Sequence, residues 1–186
     1  IHNFEQICAI EQDPHFCGGD YYAGPPPDHG LAPARMISHK TYVSLHTMED
    51  RARQEVLHMK GDLSWYSLAN PLESYMLYQG RKFIKRFDAN SFLRIVDFWQ
   101  RFDLLTESGV ASMEELFARC RDQSYLLFSI DSDVCFYPEW QEEMARVLKQ
   151  AQVRNMRITV HSEKGHDSFL LEPELFTPHL SHTLGR

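Results

Sequence analysis

Two polar stretches of this chain carry residues that could do acid–base chemistry: Asp131-Ser132-Asp133, and Gly165-His166-Asp167 with His161 shortly before it. An aspartate that holds one imidazole nitrogen orients the ring and leaves the other nitrogen as a general base. A carboxylate followed in sequence by a histidine therefore suits the closing part of a Ser–His–Asp triad, here Asp133 with His166. A second reading stands beside it. Asp and Ser at the end of a strand also cap helices, and most of the ten histidines are expected to face water. Asp131, Asp133 and His161 are metal-ligand types too, but no H-x-x-x-H or similar spacing supports them, and no metal is expected.

The elements around these residues decide whether they can meet. Tyr125 to Ile130 is an almost unbroken apolar run, which predicts a strand buried on both faces of a parallel sheet. Pro138 suits a first helical position, and Trp140, Met144, Val147, Leu148 and Ala151 recur at the spacing of a one-sided helix. Arg157 to His161 predicts a second strand. A right-handed β-α-β unit of about 30 residues brings both strand ends to the same sheet edge, so the two polar stretches become neighbours.

The preceding residues are mainly helical in pattern. Residues 1–13 predict an amphipathic helix stopped by Asp13-Pro14, followed by a Gly- and Pro-rich fixed loop. Leu31 to Leu45 predicts a helix with Arg35, His39 and Tyr42 on one face, and Thr47 opens another. Residues 60–70 predict loop. Glu73 to Phe87 predicts a helix bearing Arg81, Lys82, Lys85 and Arg86. These basic residues suit either a solvated face or the phosphates of an anionic cofactor. After a turn or cap at Asp88 to Ser91, Phe92, Ile95, Val96 and Trp99 form an apolar stripe over Phe92 to Phe102, and Met113 to Cys120 is a short helix. Two strands cannot make a stable sheet alone, so more sheet is expected from elsewhere. The chain contains no G-x-S-x-G.

Composition narrows the function. A net charge of -7 argues against nonspecific nucleic-acid binding and against an anionic membrane surface. The four cysteines (Cys8, Cys17, Cys120, Cys135) form no C-x-x-C pair, so reduced thiols and a cytoplasmic location are expected. No apolar run is long enough to cross a bilayer. Ile1, Phe4, Ile7 and Cys8 resemble the middle of a helix, suggesting the later part of a longer polypeptide.

Five motifs, GGDYY at 18–22, GLAPARMISHKTY at 30–42, ESYMLYQGRKFIKRFDANSFL at 73–93, SDVCFYP at 132–138 and GHDSFLLE at 165–172, together resemble the homoserine O-acetyltransferase family. The resemblance covers nearly the whole chain. It implies an α/β-hydrolase fold represented by its carboxy-terminal portion: residues 1–24 end the first core segment, 25–115 form a helical lid, and 116–186 carry the last two sheet strands. The first strands and the nucleophile elbow are absent. It also implies acyl transfer from acetyl-CoA, a co-substrate and not a resident cofactor, through a serine ester to the hydroxyl of L-homoserine, in methionine biosynthesis. Asp133 and His166 match the triad carboxylate and histidine; Arg35, Tyr42 and Asp167 match residues that hold the acceptor. A homodimer formed through the lid is expected of the complete protein, and no activity of this chain alone. Leu77 stands where the family often has arginine, and Lys40 where an uncharged residue is usual. A succinyl donor, a serine acceptor and a non-catalytic interaction chain are the alternatives.

Overall fold

A computed structural model describes residues 1–54 and 63–185. The elements in chain order are α1 (His2–Glu11), a 3-10 turn (Cys17–Gly19), α2 (Asp28–Tyr42), α3 (Leu45–Gln54), α4 (Pro71–Ile84), α5 (Ala89–Arg101), α6 (Leu104–Ser108), α7 (Met113–Ala118), β1 (Ser124–Ile130), α8 (Pro138–Gln150), β2 (Arg154–Val160), α9 (Ser168–Leu171), a 3-10 turn (Pro173–Leu175) and α10 (Thr177–Leu184). They form two compact units. One contains residues 1–40 and 45–101, the other 41–44 and 102–186.

The first unit is helical, with a core of Ile10, Phe16, Tyr21, Leu31, Ala34, Phe83, Phe92 and Val96. Gly30 lets α2 pass tightly against α1, because a Cβ there would lie 2.4 Å from the Ala9 carbonyl oxygen. Buried Asp13 accepts from the Gly30 N–H at 2.7 Å and the His15 N–H at 2.9 Å, tying the same crossing. Helix α4 begins at Pro71, two residues before the expected Glu73. Asn70 and Glu73 make a reciprocal capping box there, and proline tolerates the first turn. The GGDYY segment is clasped to the start of α5. Tyr21 donates a short hydrogen bond to Asp88, the Asn90 N–H donates to Tyr21 Oη at 3.0 Å, and Asn90 Nδ2 donates to the Gly19 carbonyl at 2.8 Å. These bonds make the fixed loop a structural clasp.

The second unit holds the sheet. Strands β1 and β2 pair in parallel from Ser124↔Arg154 to Ile130↔Val160, with α8 crossing between them. Apolar side chains of α7 and α8 (Phe117, Val147, Leu148) cover one face; Ile130, Val160 and Phe176 cluster separately. The strand expected to be buried on both faces is fully buried only at Ser129 and Ile130, because among the described residues β1 has one neighbouring strand. Strand β2 starts three residues before the expected Arg157. Its polar opening is held by side chains across the pair: Arg154 Nε donates to Ser124 Oγ at 2.5 Å and Arg157 Nη1 to Ser129 Oγ at 3.1 Å. The helix expected to reach Leu45 stops at Tyr42, since the Ser44 N–H and hydroxyl donate to the Lys164 and Glu163 carbonyls instead of continuing it. Of the expected 60–70 loop, residues 60–62 lie outside the described residues, and 63–70 contain no helix or strand.

Candidate active site

The two strand ends present two Asp–His pairs, and burial separates them. Asp131 Oδ2 lies 2.8 Å from His161 Nδ1, with side chains 45% and 83% exposed. Asp133 Oδ2 lies 2.8 Å from His166 Nδ1, with side chains 6% and 25% exposed. The second pair is the one expected from the triad pattern. Burial tends to raise the pKa of Asp131, but the Ser162 N–H and His161 outweigh it and hold that carboxyl below its usual range. A solvated ion pair of this kind contributes little. Among the described residues, no three His, Cys, Asp or Glu side chains gather as a metal-holding group.

Asp133 is fixed by the loop that follows β1. The Cys135 and Phe136 N–H groups donate to its Oδ1 at 2.7 and 2.8 Å, leaving Oδ2 for His166. A carboxylate can only accept, so His166 carries its proton on Nδ1 and keeps the Nε2 lone pair as the basic position. The ring lies among Phe136, Phe169 and Tyr42, with centroids 5.1, 5.7 and 6.5 Å away. A cavity of about 400 Å³ adjoins it, lined by Asp133, His166 and apolar side chains including Phe128, Ile130, Phe136 and Phe176. The arrangement suits a general base beside an apolar space. Cys135 is adjacent, but burial pushes its thiol up, toward the less nucleophilic protonated form.

The loop bearing His166 is held from several directions. Gly165 has φ +79°, and a Cβ there would lie 2.8 Å from Ser44 N and 3.2 Å from the Tyr42 carbonyl oxygen, so only glycine fits without displacement. Its N–H donates to Ser132 Oγ at 2.9 Å, and its carbonyl accepts from the fully buried Ser168 hydroxyl. Ser168 Oγ is also 2.9 Å from Ser162 Oγ, which donates to Glu172. The Asp167 N–H donates to the Tyr42 carbonyl at 2.9 Å. Asp133, His166, Asp167 and Tyr42 thus come together in one unit. Chain order brings Asp133 to His166, as observed, but gives no sign of Ser132, Ser162, Ser168 and the 42–44 backbone as supports of the pair. Only the glycine before His166 hinted at them.

Arg35 belongs to the other unit, on α2. Its guanidinium lies over the Phe83 ring, 5.3 Å from the centroid, and Nη2 is 3.3 Å from His39 Nδ1. His39, read in sequence only as part of a polar stripe, is buried, and its Nε2 is 3.1 Å from the Oη of buried Tyr75.

No family model matches the chain. A homoserine O-acetyltransferase of Solidesulfovibrio magneticus is 38% identical over 172 residues, 88% of this chain and 41% of that protein. A homoserine O-succinyltransferase of Acidithiobacillus ferrooxidans is 36% identical over 186 residues, 98% of this chain and 48% of that protein. The crystal structure of a homoserine O-acetyltransferase from Bacillus anthracis superposes with a TM-score of 0.83 at 21% identity, covering 99% of this chain and 48% of that one. The chain therefore spans about half the length of the relatives it matches, and its fold is the corresponding part of an α/β-hydrolase fold.

Proposed function

We propose that this chain, which over the half it spans belongs to the homoserine O-acetyltransferase family, supplies the carboxylate and histidine of an acyltransferase that acetylates the hydroxyl of L-homoserine. The Asp133–His166 pair carries this reading: a buried carboxylate sets the tautomer of a part-exposed histidine, which general-base chemistry requires. The nucleophile is a serine outside these residues. His166 Nε2 accepts the serine proton as Oγ attacks the thioester carbonyl of acetyl-CoA; the thiol leaves with that proton, and an acetyl-serine ester forms. Nε2 next accepts the proton of the homoserine hydroxyl, which attacks the ester, and returns it to the departing serine.

In this reading Arg35 takes the carboxylate of homoserine through its planar fork, Asp167 takes the ammonium, and Tyr42 belongs to the same acceptor-holding set. The family relation supports these roles, and the Asp167–Tyr42 bond supports the pairing of the last two. Residues 25–115 act as the lid of a cytoplasmic enzyme of methionine biosynthesis. The exposed stripe of Ile95, Phe98 and Trp99 on α5 is the face on which two copies meet. The 186 residues alone do not acylate, because they contain no nucleophile elbow.

The test is a rapid-mixing assay of the full-length protein with acetyl-CoA and, separately, succinyl-CoA. Acetyl-CoA should give a burst of free thiol equal to the protein, dependent on His166. Absence of a burst with either donor would overturn the acyltransfer reading, and a burst with succinyl-CoA alone would reassign the donor.

A further inference from the structure

Arg35 is held by a buried relay that the acyl-transfer chemistry does not use. An arginine donates and never accepts, so the His39 nitrogen facing Arg35 Nη2 at 3.3 Å is a lone pair. The ring proton therefore sits on Nε2 and is donated to Tyr75 Oη at 3.1 Å. His39 is 5% and Tyr75 1% exposed, so water does not compete for the bond between them. Both ring nitrogens are committed, and the imidazole is in its neutral form. A second proton would place an N–H against the guanidinium, with Arg51 adding repulsion. Phe83 lies under the guanidinium, so a ring below and an acceptor at Nη2 both restrain it.

We infer that His39, backed by Tyr75, is a positioning residue that sets the orientation in which Arg35 receives the acceptor's carboxylate. This deepens the substrate-clamp reading and rests on it. An arginine fork recognises a carboxylate through two parallel bonds, and recognition is lost when the plane turns. A neutral acceptor one helical turn away orients that plane without neutralising its charge, as an aspartate at position 39 would.

The test compares L-homoserine with its amide, which keeps the shape but lacks the charge, as acceptors for the full-length protein. Arg35→Ala, His39→Phe and His39→Asn are measured beside the wild type, with the thiol burst of the first half-reaction as control. His39→Phe should raise the KM for homoserine about tenfold, the size of one charge-assisted hydrogen bond. It should reduce the preference for acid over amide and leave the burst intact. His39→Asn, which can restore an acceptor near Nδ1, should recover most of the preference. If Arg35→Ala loses the preference while His39→Phe retains it, the positioning role is wrong and the clamp survives. If Arg35→Ala retains it, the clamp itself is wrong, and this inference falls with it. Independently of variant folding, the ¹⁵N shifts of His39 in the wild-type protein should show an unprotonated Nδ1 at pH 6. A protonated Nδ1 would overturn the relay.

Discussion

Asp133 and His166, which close from the ends of β1 and β2 to a 2.8 Å Oδ2–Nδ1 contact, differ from Asp131 and His161 at the same sheet edge in burial, not in distance. In the full-length protein, Asp133→Asn should lower the acylation rate about 10⁴-fold, because the amide can present an N–H to Nδ1 and stabilise the wrong tautomer. The amplitude and rate of the thiol burst measure this directly. A loss of less than tenfold would remove Asp133 from the catalytic set.

Asp131→Asn or His161→Ala should change stability by less than about 1 kcal/mol and leave the burst rate within about threefold, as expected for a solvated pair. Denaturant midpoints and the same assay give both numbers. A large loss of activity would move the acid–base chemistry to the other pair.

Gly165→Ala should destabilise the protein by about 2–4 kcal/mol, since the left-handed backbone and the collision with Ser44 N both penalise a side chain. The denaturant midpoint should fall even though no catalytic group is altered. An unchanged midpoint would show that the approach of the two backbones is looser than the 2.8 Å between a Cβ at position 165 and Ser44 N.

His39 should make folding sensitive to acid. Burial, followed by the charges of Arg35 and Arg51, lowers its pKa from 6.5 to about 4 in the folded protein. Between these values the unfolded chain binds a proton that the folded one refuses, so this term makes stability rise with pH from about 4 to 6.5. Between pH 7 and 4.5 the wild type should lose about 2–3 kcal/mol through this one group, and His39→Asn should lack that part of the slope. Parallel stability–pH curves for the two proteins would refute the assignment.

The sequence made some of this legible and concealed the rest for physical reasons. The apolar run at Tyr125 to Ile130 and the stripe through Val147 and Leu148 announced the β-α-β unit, because hydrophobic period follows local burial. The first three residues of β2, 154–156, stayed hidden, since the strand opens on Arg154, which is held by Ser124 on the neighbouring strand and carries no apolar signal. The break at Ser44 was hidden for a related reason: its hydrogen-bond partners lie in the loop before His166, and no local propensity encodes them. Chain order and the SDVCFYP motif singled out Asp133, but the burial that separates its pair from Asp131–His161 is not written in two aspartates one residue apart. His39 was visible as polar on a helical face. Its partner Tyr75, a helix away, made it a buried acceptor.

The clasp between residues 42–44 and the loop before His166 also has a kinetic consequence. Asp133 and His166 are 33 residues apart, whereas Ser44 and Glu163 are 119 apart. Closing the longer loop costs about 1 kcal/mol more in chain entropy, before the contacts that reward it have formed. The histidine and its aspartate can therefore find each other while β1, α8 and β2 assemble, whereas the backbone that clasps the histidine loop must come from a distant part of the chain. During refolding the dyad should exist first in a loosely held form and gain its final precision in one of the last steps.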